Sequence, residues 1–147
     1  MTWAVIRFLH VLGAALWVGG QLTLTLVVLP PARRALAAEG RTELLRAVGR
    51  RFAVITMAVF LPIQVITGVL LAARHGVTWG SLWEPGYNRV LAAKLLLFTV
   101  VMIATAVHGI TQAKGRSAWS RAATLVALVG SVGVVLLATG LVEGLAP

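Results

Sequence analysis

The sequence predicts an all-α integral membrane protein, an up-down four-helix bundle with both termini on the extracytoplasmic side. Three observations predict it. Of the 147 residues, 59% are hydrophobic and only 12% charged, with a mean hydropathy of +0.94; a soluble domain this short needs far more polar surface. Four separate segments each supply the roughly twenty predominantly apolar residues that cross a bilayer. The basic residues gather in the connections between those segments, where they orient a chain in the membrane.

The four segments are Trp3–Leu29, Phe52–Ala73, Val90–Thr111 and Ala118–Leu141. The first is too long for the core of a signal peptide, and Pro30, Pro31, Arg33 and Arg34 precede the cleavage-like Ala35-Leu36-Ala37, so it reads as a retained membrane helix. It is expected to end at Pro30-Pro31, which cannot extend a helix. The second helix is expected to begin ahead of the bilayer. Within Thr42–Arg51, Leu44, Leu45 and Val48 lie apart from Arg46, Arg50 and Arg51, the pattern of a polar helical extension. Pro62 should kink the second span. Arg74–Arg89, with Gly76, Gly80, Pro85 and Gly86, reads as an irregular loop. Small residues invite close packing: Gly13, Gly19 and Gly20 in the first span, Gly130, Gly133 and Gly140 in the fourth, and a Gly140–Gly144 pair at small-xxx-small spacing.

The two connections after spans one and three hold Arg33, Arg34, Arg41, Arg46, Arg50, Arg51, Lys114, Arg116 and Arg121, nine of the thirteen basic residues. An even number of crossings separates them, so they share a side, taken as the cytoplasm. Trp3, Trp79, Trp83 and Tyr87 then form an outer aromatic belt and Trp119 an inner one. The net charge of +9 is accounted for by these clusters, and no soluble basic domain is present to bind nucleic acid. The absence of cysteine excludes disulfides, thiolate metal sites, iron–sulfur clusters and covalent haem attachment.

Ionisable residues inside the spans are the candidates for function, because burying them in hydrocarbon costs about 2.5–3.5 kcal/mol for a charged lysine at mid-helix. His10 lies about 10–12 Å inside the first span and Lys94 about 6–9 Å inside the third, both counted from the outer end. His75 closes the outer end of the second. Arg7 is one turn outside His10, and Arg74 and Arg89 stand at the outer boundary. Nitrogen ligands below arginines suit haem b: imidazole ligates iron, a helix bundle offers an apolar slot, and guanidinium groups pair with propionates. His10, Gly13, Ala14 and Trp17 share one helical face, on which Gly13 and Ala14 leave room for a macrocycle and Trp17 walls it. A second reading of Lys94 is that it snorkels to the interface, and of His75 that it is a solvated loop residue. Lys94, Phe98, Val101, Thr105, His108 and Gln112 form one stripe of the third span. His108 is about 21 Å along the axis from Lys94, so it serves a second cofactor, a proton relay or a hydrogen bond to a neighbouring helix, the last being preferred. Gln64 and Thr67 read as interhelical hydrogen-bonders. Copper is the alternative metal, but Met57 and Met102 are isolated and cysteine is absent.

The run Arg7-Phe-Leu-His-Val-Leu-Gly-Ala-Ala-Leu-Trp-Val-Gly-Gly20 resembles the first-helix motif of the copper-resistance protein D (CopD) membrane family. Tyr87-Asn-Arg-Val-Leu-Ala-Ala-Lys-Leu-Leu-Leu97 resembles its second motif. Both also resemble the bacterial membrane-bound protoporphyrinogen oxidases of the HemJ type, where a first-helix histidine and a third-helix lysine are associated with haem b. The resemblance implies those roles for His10 and Lys94. Pro30-Pro31-Ala-Arg-Arg34 departs from the oxidase pattern, which continues into a histidine-containing stretch, and the periplasmic copper-binding domain of some copper-resistance members is missing. The expectation is a cytochrome b-like protein of the bacterial inner membrane, an oxidoreductase if it is an enzyme, exchanging electrons with a membrane or extracytoplasmic redox partner. Copper uptake and protoporphyrinogen oxidation are the alternatives. Surrounded by membrane lipid, four short helices would bury more surface as a homo-oligomer than alone.

Overall fold

A computed structural model describes residues 1–113 and 117–142. Every regular element among them is helical, and four helices are long and apolar enough to cross a membrane: Thr2–Ala35, Ala38–Arg74, Tyr87–Thr111 and Trp119–Gly140. Lys114, Arg116 and Gly144 lie outside the described residues. The chain divides into two helical units, Met1–Gly76 and Val77–Pro147.

In the first unit, α1 (Thr2–Leu22) passes into a π-helical segment (Thr23–Val28) and then α2 (Leu29–Ala35). The return consists of α3 (Ala38–Ile55), a second π-helical segment (Thr56–Phe60) and α4 (Leu61–Arg74). The expected stop at Pro30-Pro31 does not occur. Proline lacks an N–H and its ring collides with the carbonyl four residues back; here the helix widens just before each proline instead of ending. The N–H of Leu29 reaches back five residues to the Leu24 carbonyl, and that of Leu61 reaches back five to Thr56. Pro30, Pro31 and Pro62 then sit in the first turn of a resumed α-helix, where an N–H is dispensable. As expected, α3 starts well before the apolar run at Phe52.

The helices of this unit meet through glycine. A Cβ on Gly13 would collide with the Gln64 amide, and one on Gly20 with the Phe52 ring; Gly19 faces open space. These contacts join α1 to the returning antiparallel helix, with Gly13 against the Gln64 amide and Gly20 against the reach of the Phe52 ring.

In the second unit, α5 (Tyr87–Ala113) packs along α6 (Ser117–Val142). The predicted stripe on α5 is the packed one. Val101 is fully buried, while Lys94, Phe98, Thr105 and His108 are half-buried. Opposite them, α6 presents Ala123, Ala127, Gly130 and Ser131, all buried. The segment before α5 turns through Gly76 and Gly86, with φ of +71° and +88°, values that favour glycine. Trp79 and Trp83 on this segment are 91% and 76% exposed.

Large apolar side chains cover the outer faces of both units, including Phe8, Leu26, Leu96, Val129 and Leu136. Contiguous apolar surface on this scale is stable against lipid and not against water. The protein is a multi-pass membrane protein.

Candidate functional site

The first unit assembles a polar node around His10 where α1 crosses α4. Thr67 is buried, and its hydroxyl donates to the Ile63 carbonyl one turn back in its own helix. With its one proton committed there, Thr67 Oγ1 accepts from His10 Nδ1 at 2.7 Å. In the neutral form of the ring this pairing puts the proton on Nδ1. Gln64 Nε2 donates to the His10 backbone carbonyl at 2.7 Å, fixing the helix from which the ring projects. Gly68 completes the seat: a Cβ there would stand 3.2 Å from His10 Cε1. Gln64 and Thr67, one turn apart on α4, thus grip one residue of α1 by backbone and side chain.

The surroundings of His10 differ from the sequence expectation in one respect. The volume left by Gly13 is not an open slot, because the Gln64 amide fills it. Trp17, on the same face, is 6% exposed. A flat ligand has no room on the Gly13–Trp17 side. Gly68, which abuts the ring, and Ala14, one turn along α1 from His10, are half-exposed. Sequence reading missed Gly68 because a single glycine in an apolar span carries no signal until its neighbour is known.

At the Trp3 end of this unit, the Arg74 guanidinium lies 4.8 Å from the centre of the Trp3 ring, a cation–π contact. Arg7 is exposed near the same end. His75 caps α4, its Nδ1 donating to the Leu71 carbonyl at 2.8 Å. It is exposed and stands about 12 Å farther along the helix axis than Thr67. The structure does not bring it to His10.

Lys94 and Arg89 belong to the second unit. Arg89 is exposed. Lys94 is half-buried on α5 and has no hydrogen-bond or ion-pair partner among the described residues. His108 has several: its Nδ1 lies 2.9 Å from Thr124 Oγ1, 3.0 Å from Ser120 Oγ and 3.1 Å from the Ser120 carbonyl, all on α6. Thr124 spends its own proton on the Ser120 carbonyl, so it too accepts from the ring. His108 fastens α5 to α6, the preferred expectation for it.

Among the described residues, no three histidine, aspartate or glutamate side chains cluster as a metal site. A haem ligated by one or two nitrogens needs no such cluster. No family model, curated protein or solved structure matches the chain.

Proposed function

We propose that this protein is a haem b-binding redox protein of a bacterial inner membrane, with both termini extracytoplasmic and His10 as an axial ligand. The observation that carries the reading is the His10–Thr67 hydrogen bond. Histidines that ligate metals commonly donate the other ring N–H to a fixed acceptor, which sets the tautomer and aims the remaining nitrogen. Thr67 does this for His10 inside an apolar helix pair, the kind of environment in which a porphyrin is stable. Arg7 and Arg74, toward the outer end of the same helices, are the cations available for propionates. The face of α1 bearing Gly13 and Trp17 is closed by α4, so the macrocycle is assigned to the Ala14–Gly68 side of the ring. Lys94, a span amine without a partner among the described residues, is the sequence's nominee for the second ligand, and it would have to bind as the neutral amine.

When bound, haem supplies one-electron chemistry. The protein supplies the axial nitrogen, the apolar wall and the cations. Two filled axial positions favour electron transfer; one favours ligand sensing or oxidation of a small substrate.

A visible spectrum tests the proposal. Protein expressed with ample haem supply and purified in detergent is expected to show a Soret band that shifts on reduction. Colourless protein would overturn the reading, and colourless protein binding copper stoichiometrically would replace it with copper transport. In the pigmented protein, Lys94→Ala is expected to convert a low-spin spectrum to high spin. An unchanged spectrum would remove Lys94 from the coordination sphere.

A further inference from the structure

Three contacts define where the His10 ring sits, and only two of them act on the ring itself. Thr67 takes the Nδ1 proton, and Gly68 leaves clearance beside Cε1. The third is made by Gln64, whose Nε2 donates to the His10 backbone carbonyl at 2.7 Å. That carbonyl also serves its own helix, so Gln64 uses its second lone pair. Gln64 makes no other side-chain hydrogen bond among the described residues. An amide inside an apolar span is costly unless it is paired, and this one is spent wholly on the backbone of the residue that carries the imidazole.

The helix α1 is cut to receive it. A Cβ on Gly13, one turn from His10, would occupy the place of Gln64 Nε2. With glycine at 13 on α1 and at 68 on α4, neither helix presents a side chain at those two positions to resist sliding. The bond from Nδ1 to Thr67 Oγ1 is 2.7 Å long, so a slide of about 1 Å along it takes the pair out of hydrogen-bond range. Gln64 and Thr67 stand one turn apart on the same helix. Fixing the His10 carbonyl against the first therefore fixes Nδ1 against the second.

We propose that Gln64 is a positioning residue for the His10 imidazole: by holding the backbone carbonyl it keeps Nδ1 on Thr67, and so keeps the ring in the tautomer whose Nε2 lone pair is available to a metal. A ring released from Thr67 can take either tautomer, and one of them puts a proton where iron needs a lone pair. The consequence for haem rests on the reading of His10 as a ligand; the consequence for the ring does not.

Nitrogen NMR of the full-length apoprotein in detergent, with ¹⁵N in the histidine rings and at alkaline pH where imidazole is neutral, reads the tautomer directly. The His10 signals are those missing from His10→Ala, and in the parent they are expected to show Nδ1–H. Gln64→Met keeps the length of the side chain and removes the donor. It is expected to give both tautomers and, after haem loading, to lower haem retention about 10–100-fold. Gly13→Ala, which evicts the amide from the opposite helix, should do the same. Gly13→Ala combined with Gln64→Ala separates bond from packing: it makes room for the new methyl but supplies no donor, so mixed tautomers should persist. The His108 ring, held by Thr124, should keep its signals in every variant. Mixed tautomers in the parent, or a parent-like Nδ1–H signal in Gln64→Met or in the double variant, would overturn the proposal and leave Gln64 a fastener between helices. Altered His108 signals would also overturn it, because the effect would then be a general loss of packing. If the parent proves colourless, the haem reading falls while the tautomer series still decides the role of Gln64.

Discussion

His10→Ala is expected to abolish the Soret band of the purified protein, and His108→Ala to leave it intact. The two histidines are both held by threonine hydroxyls of a neighbouring helix, so a general loss of packing would affect both variants alike. Only ligation by His10 separates them. Thr67→Val refines the test. It keeps the shape of the side chain and the imidazole but removes the acceptor of the Nδ1 proton. Loss of such an outer partner typically costs about 10–100-fold in metal affinity, so haem retention in Thr67→Val should fall by that order while the helical circular dichroism stays unchanged. A His10→Ala protein that keeps its band, or a His108→Ala protein that loses it, would move the ligand to the other unit.

The largest effect on stability is expected from Gly130→Ala. Its added Cβ would collide with Val101 Cγ2. Val101 is fully buried, and a β-branched side chain in a helix has essentially one rotamer, so it cannot swing aside. Overpacking of this kind costs about 1–3 kcal/mol. Gly19→Ala is the matched control, because its Cβ meets nothing within 4 Å and alanine favours helix over glycine by up to about 1 kcal/mol. Reversible unfolding in mixed micelles should show Gly130→Ala well below the parent and Gly19→Ala level with it or above. Adding Val101→Ala should recover part of the loss, since residues in contact do not contribute additively. Full additivity would mean that the two helices do not meet at this pair.

Hydropathy made the four spans legible, because a bilayer demands long apolar runs and little else looks like one. The packed stripe on α5 was legible from helical spacing, and Gln64 and Thr67 from the rule that polar side chains in a span seek partners on other helices. The continuation through Pro30 and Pro31 was not. Local rules for proline assume α geometry, and a widened turn evades them at the cost of one residue out of phase. The use of Gly13 was also hidden: a missing side chain shows that something comes near, not whether it is a cofactor or the Gln64 amide.

The π turn at Thr56–Phe60 has a consequence for the arginines upstream of it. A wide turn holds more residues than an α turn, and each residue advances an α-helix by about 100°. The azimuth at which α3 leaves the bilayer is thus set by a surplus in the middle of the span, some distance from any charge. Pro62 and the direction in which Arg41 and Arg51 point are two readings of the same phase.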